Sequence, residues 1–116
     1  VSSILKPNFN FPAHRKGDTF SELQFTLRQN GDPLNLNGAS ILFQVRTSPT
    51  GELIISLSVG DGITIKDAVG GVFSIDEQII DIVSALYYYE LEVTLDSGFR
   101  LTYLTGTWQI LQDVAR

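Results

Sequence analysis

Residues 87–95 read Tyr87-Tyr88-Tyr89-Glu90-Leu91-Glu92-Val93-Thr94-Leu95. Tyr87, Tyr89, Leu91, Val93 and Leu95 fall on every second position, with Glu90, Glu92 and Thr94 between them. A period of two puts alternate side chains on opposite faces of a β-strand, one set for a core and one for solvent. This is the longest alternating run in the chain, and it decides the fold class.

Further strands are legible on both sides of it. Downstream, Asp96-Ser97-Gly98 predicts a hairpin loop. Phe99, Leu101 and Tyr103, then Trp108 and Ile110, carry the next strands, with Gly106 expected as a bulge. Upstream, Gly70-Gly71 precedes Val72–Ile75, and Gly60-Asp61-Gly62 separates Ile63 and Ile65 from Leu53, Ile55 and Leu57. Ser48-Pro49-Thr50-Gly51 is a turn after Ser40–Thr47, where Ile41, Phe43 and Val45 alternate with Leu42, Gln44 and Arg46. Phe20–Leu27 alternates Leu23, Phe25 and Leu27, and Asn30-Gly31 supplies the positive φ of a tight turn.

One stretch breaks the period. In Asp76–Leu86, the residues Ile79, Ile82, Val83 and Leu86 stand at i, i+3, i+4 and i+7, one face of a helix of two to three turns. Asp76 and Glu77 suit its positive end. The pattern therefore predicts an all-β, antiparallel β-sandwich of about seven or eight short strands with one short crossover helix. Residues 1–14 are expected as an extended N-terminal arm, in which Pro7 and Pro12 interrupt hydrogen bonding and Phe9 and Phe11 alternate, and residues 15–116 as the sandwich domain.

Composition bounds the chemistry. The chain has 116 residues, no cysteine, one histidine, 18% charged residues and a net charge of −5. Without cysteine there is no disulfide, thiolate metal site or cysteine nucleophile. Eight Lys and Arg residues, scattered along an acidic chain, do not make the basic patch that nucleic acid requires. No apolar run approaches the ~20 residues that span a bilayer, so membrane insertion is not expected. His14 sits beside Arg15 and Lys16 in the arm and is expected at the surface, away from any triad. Asp61, Asp67, Asp76, Glu77 and Asp81 lack the Asp spacing of a calcium loop and read as turn and helix-end residues. Lys16-Gly17-Asp18 reads as a turn, and the glycines at 60, 62, 70 and 71 lie between strands, where no phosphate loop forms. No catalytic residue, metal or cofactor is expected, and the chain is read as a non-enzyme.

Surface candidates follow from the strand parity. Tyr88, Leu42 and Ile54 occupy outward positions and would form an apolar patch if their strands were neighbours, a pattern that marks protein contacts. Phe9 and Phe11 in the arm are the other interface candidates, suited to adding a strand to a neighbour's sheet. Tyr87, after Asp81 and Ala85-Leu86, is placed like the tyrosine whose hydroxyl bonds back to the chain at a corner of immunoglobulin-type sandwiches.

A series of segments extends the reading: Arg15-Lys16-Gly17-Asp18-Thr19-Phe20, then Gly31-Asp32-Pro33-Leu34-Asn35-Leu36-Asn37-Gly38-Ala39, Ile41-Leu42-Phe43-Gln44-Val45-Arg46, Gly70-Gly71-Val72-Phe73, Tyr89-Glu90-Leu91-Glu92-Val93, Gly106-Thr107-Trp108-Gln109-Ile110 and Asp113-Val114-Ala115-Arg116. In this order they resemble the N-terminal domain of phage upper baseplate proteins and related small tail proteins. Asn35, Asn37 and Ala115 stand where members tend to carry Asp, Thr and Thr. The resemblance implies an immunoglobulin-like sandwich with an architectural role in the virion. It would be a phage tail or baseplate component, expected as a homo-oligomer, that assembles with other tail proteins and positions receptor-binding parts. The alternative expectation is a surface-displayed carbohydrate-binding or adhesion module using Tyr88, Tyr103 and Trp108. A small hydrolase is the third and least supported, since no general-base constellation is legible.

Overall fold

The computed structural model describes residues 10–112. Among them are twelve strands and no helix: β1 (Phe11–Arg15), β2 (Thr19–Phe20), β3 (Leu23–Thr26), β4 (Arg28–Gln29), β5 (Asp32–Pro33), β6 (Ser40–Arg46), β7 (Leu53–Val59), β8 (Gly62–Asp67), β9 (Val72–Ile75), β10 (Gln78–Ile79), β11 (Ala85–Thr94) and β12 (Arg100–Leu111). Eight of them form one curled sheet in the order β1-β12-β11-β6-β7-β8-β9-β3, and β2 with β10 and β4 with β5 make two short pairs. Within the large sheet the neighbours are antiparallel except β1–β12 and β7–β8.

The long alternating strand lies in the middle of one half. On one side of β11, Leu91 faces Phe43 and Val93 faces Ile41; on the other, Tyr87 faces Trp108 and Leu91 faces Leu104. Every one of these inward residues is buried. Directly opposed apolar pairs of this kind are the unit by which a sheet gains stability. In the other half, Ile63, Ile75 and Leu23 form one cross-strand row, and Ile65, Phe73 and Phe25 form the next. Phe25 and Phe73 stack with ring centroids 5.2 Å apart.

The two halves meet at a narrow hinge. β7 and β8 pair only at Ser58–Gly62 and Val59–Ile63, and the chain turns sharply between them. Gly62, with φ 95°, lies against Leu57: a Cβ there would stand 2.6 Å from a Leu57 methyl. The curl lets both halves share one apolar core, in which Phe11, Phe43 and Trp108 join Ile63, Phe73 and Ile75. Leu34 and Leu36, from the loop after β5, are buried in it. Backbone bonds from Leu34 to Leu27 and from Leu36 to Ala68 hold that loop down.

Three expectations need correction. The crossover helix over Asp76–Leu86 is absent: the segment is extended, and Gln78–Ile79 pair with Phe20 and Thr19. Ile79 and Val83, assigned to its buried face, are 66% and 72% exposed, and Ile80, left off that face, is buried. Four β-branched residues in the segment lower helix propensity, and two to three turns return little against the cost of nucleation. Extended, the segment gains the β2 ladder and bonds from Gly17 N–H to the Ile80 carbonyl and from Ile80 N–H to the Asp18 carbonyl.

The second correction concerns the arm. Its described end is an integral edge strand. β1 runs parallel to β12, and Phe11 is only 5% exposed, with its ring centroid 4.5 Å from that of Tyr89 and 5.3 Å from that of Trp108. Burying a Phe side chain contributes roughly 1.5–3 kcal/mol, so Phe11 belongs to the domain's core and β1 to its sheet, and Phe11 is no free docking residue. Pro12 fits because an edge strand needs no donor on its open side. Phe9 lies outside the described residues. The third correction is local. Gly106 sits in the regular ladder opposite Tyr89, and the bulge in β12 falls at Tyr103, between the Leu91–Leu104 and Glu92–Thr102 pairs.

Candidate interaction surface

The outward face of β12, β11, β6 and β7 is organised in cross-strand rows. Thr107, Tyr88, Arg46 and Leu53 form one; Thr105, Glu90, Gln44 and Ser56 form the next; Thr102, Glu92, Leu42 and Ser58 form the third. The β12, β11 and β6 members of the first two rows floor a groove of about 490 Å³. The turn at Ser48 and Pro49 forms part of its wall, and Asn10 forms another part.

Local bonds fix the groove's polar groups. The Asn10 amide oxygen accepts the Thr107 N–H at 3.0 Å, which pins the chain entering β1 against β12. Arg46 donates from Nη1 to the Gly51 carbonyl at 3.2 Å and from Nη2 to Gln44 Oε1 at 3.3 Å. The guanidinium is thereby held beside Tyr88 by the turn that follows its own strand. The lining carries one cation, Arg46, and one anion, Glu90, with hydroxyl and amide groups around them. A surface of that composition can hydrogen-bond and stack against a polar partner without strong charge selection.

The expected Tyr88–Leu42–Ile54 patch is not contiguous. Tyr88 and Leu42 share the outer face but lie two rows apart, and Leu42 is flanked by Glu92 and Ser58. Ile54 is the extra residue of a bulge in β7, between the Val45–Ile55 and Arg46–Leu53 pairs, and it packs against the core half-buried. That bulge brings Leu53 onto the outer face instead, where it is exposed. Strand parity alone could not find it, because a bulge shifts every residue beyond it by one.

The remaining polar candidates serve local structure. His14 is half-buried, its ring centroid 6.0 Å from that of Trp108 and 6.1 Å from that of Phe20, and its Nε2 lies 2.9 Å from the Asp18 carbonyl oxygen. In the Nε2–H tautomer it donates across the Gly17-Asp18 turn, a more enclosed position than the surface site expected for it. Asp76 accepts from Thr64 Oγ1 at 2.8 Å and Ser74 Oγ at 3.3 Å. Lys16 pairs with Asp81, and Lys66 with Glu22 at 3.1 Å. Among the described residues, no group of three or more His, Cys, Asp or Glu side chains is placed to hold a metal ion.

Tyrosines mark the enclosed side of the sheet. Burial pushes the hydroxyls of Tyr87, Tyr89 and Tyr103 above the ordinary value of 10.0. The Tyr87 hydroxyl donates to the Val83 carbonyl, four residues upstream, as its placement in the sequence suggested. Trp108, one of the three expected stacking platforms for a sugar, is 2% exposed and faces the core. Compared with protein-family models and with curated proteins, the sequence matches none.

Proposed function

We propose that this chain is a non-enzymatic virion structural protein, a phage tail or baseplate component built on an immunoglobulin-like sandwich. It assembles with copies of itself and with other tail proteins and positions receptor-binding parts. The fold reading draws support from the strand order. β3, β9 and β8 form one antiparallel group, and β12, β11, β6 and β7 another, with β1 added in parallel beside β12. Tyr87, at the start of β11, makes the backbone bond of a tyrosine corner.

The observation that carries the functional reading is the behaviour of the Gly31–Ala39 loop. It is the longest segment of resemblance to upper baseplate proteins, and its two leucines, Leu34 and Leu36, are both buried. A loop held to the core by its own leucines is a structural anchor, which supports an architectural domain. Mass spectrometry of purified phage particles from the source culture tests the reading. Peptides of this chain should co-purify with the tail fraction in amounts comparable to other tail proteins; particles that contain none of it would overturn the proposal.

A surface-displayed carbohydrate-binding or adhesion module is the second reading, favoured by one observation: the groove places Tyr88 beside Arg46, with Gln44 and Glu90 in the adjoining row. Of its three platforms Trp108 is buried and Tyr103 packs half-buried against the core, so it now rests chiefly on Tyr88. Glycan binding lost in Tyr88→Ala would support it, and no binding across a broad glycan panel would remove it.

A further inference from the structure

The groove on the outer sheet face holds an aromatic ring that the fold does not engage. Tyr88 is half-buried in it, between Thr107 and Arg46 of its own row. Among the described residues no other ring packs on Tyr88, and its hydroxyl has no hydrogen-bond partner. Arg46, the cation beside it, is held by other groups, with Nη1 on the Gly51 carbonyl and Nη2 on Gln44 Oε1. Glu90 is the matching case in the adjoining row. Its side chain is exposed, and its carboxylate enters none of the ion pairs among the described residues. On either side of it stand Thr105, with a hydroxyl, and Gln44, whose oxygen is engaged by Arg46 while its amide N–H groups remain to donate. Rows two residues apart on a strand lie about 7 Å from each other, and three adjacent strands span about 10 Å. The groove therefore sets one apolar ring face at about 7 Å from a band of donors and acceptors, on the scale of a single sugar ring. Its volume of about 490 Å³ lies inside the range of small-molecule sites.

We infer that the groove binds a neutral hexopyranose unit of a glycan. The C–H face of the sugar stacks on Tyr88, its hydroxyls donate to the Glu90 carboxylate, and its oxygens accept from the Gln44 amide. A hexopyranose has an apolar face and a rim of hydroxyls, and the two rows of the groove supply one partner for each. Hydroxyl-to-carboxylate bonds are charge-assisted and among the stronger kinds. Charge selects the class of sugar. Arg46 and Glu90 cancel within the groove, and the whole chain carries −5. A uronic or sialic acid brings its carboxylate toward Glu90 and against that net charge. An amino sugar gains Glu90 and meets the guanidinium of Arg46 in the adjoining row. A neutral ring meets both charges with hydroxyls and opposes neither. This inference rests on the carbohydrate-binding reading above, whose ligand class it names, and is independent of where in a virion the protein sits.

Saturation-transfer NMR on the purified full chain tests it, with maltotriose, lactose and mannotriose as neutral probes, sialyllactose and digalacturonate as acidic ones, and a glucosamine disaccharide as the cationic one. At least one neutral probe should receive saturation on its ring C–H protons. Tyr88→Ala should weaken that binding roughly tenfold, the loss of one stacking contact, while keeping the wild-type circular dichroism and Trp108 emission. Glu90→Gln should weaken it several-fold, and the acidic and cationic probes should bind wild type several-fold more weakly than the neutral one. Tyr88-dependent binding of a charged probe as tight as that of any neutral one would overturn the neutral class and leave the carbohydrate reading standing. Neutral binding that survives Tyr88→Ala would overturn the groove as the site and leave that reading standing as well. No transfer to any neutral probe would overturn the inference, and the broad glycan panel then decides the carbohydrate reading separately. Should Tyr88→Ala fail to fold, amide shifts on wild type decide: a neutral probe must move Gln44, Arg46, Tyr88, Glu90, Thr105 and Thr107, and shifts confined to other residues would contradict the inference.

Discussion

Leu27 and Gly71 are in backbone contact: the Leu27 N–H donates to the Gly71 carbonyl at 2.8 Å, and a Cβ on Gly71 would stand 2.5 Å from the Leu27 carbonyl oxygen. Gly71 also has φ 73°, where a side chain is strained in its own right. Gly71→Ala is therefore expected to cost more than the ~1–2 kcal/mol of a left-handed residue alone. Gly60→Ala, at φ 88° but with nothing within 4 Å, should cost only that strain. Urea unfolding of the two variants should show Gly71→Ala as clearly the less stable.

The Tyr87 hydroxyl anchors the segment between β10 and β11 by its bond to the Val83 carbonyl. Tyr87→Phe keeps the buried ring and removes the bond, so a loss of about 0.5–1.5 kcal/mol is expected. Tyr88→Phe, one residue on and facing the groove, should be near neutral. Equal losses for both in chemical denaturation would show that the corner bond carries no special weight.

Phe11 ties β1 to the core through Tyr89, Trp108, Phe43 and Phe20. Phe11→Ala should destabilise the domain by about 3–5 kcal/mol and move Trp108 emission to the red as water reaches the ring. An unchanged midpoint and unchanged emission would mean that the strand docks weakly and that the core closes without it.

Alkaline pH should weaken the fold. Burial raises the folded-state pKa of Tyr87, Tyr89 and Tyr103 above the ordinary value of 10.0, so folding favours the protonated hydroxyl. The stability this contributes is fully present below pH 10.0 and is lost as pH rises from there through the raised folded values. Urea midpoints should hold level between neutral pH and pH ~9 and fall above pH ~10, and Tyr89→Phe should reduce the fall. A midpoint flat through strongly alkaline pH would contradict the buried state of these hydroxyls.

Much of the strand pattern was legible because its signals are local. Tyr87–Val93 and Ile41–Val45 alternate without interruption, and both are buried on the side the alternation assigns, with Leu95 half-buried beyond. What escaped the sequence depends on distant partners. Ile79, Ile82, Val83 and Leu86 have helical spacing, and only the availability of Thr19 and Phe20 as ladder partners tells that the segment is extended. Phe11 sits in a stretch with two prolines and reads as an arm until β12 is seen to accept it in parallel. The surface patch failed for a different reason: the β7 bulge turns Ile54 toward the core and Leu53 outward, and a one-residue shift leaves no trace in composition.

Electron microscopy of phage particles from the source culture, decorated with gold-labelled antibody raised against the purified chain, tests the proposed role most directly. Gold concentrated at the distal end of the tail is the expected result. Particles that stay unlabelled, while the same antibody detects the chain elsewhere in the culture, would contradict a place in the tail or baseplate.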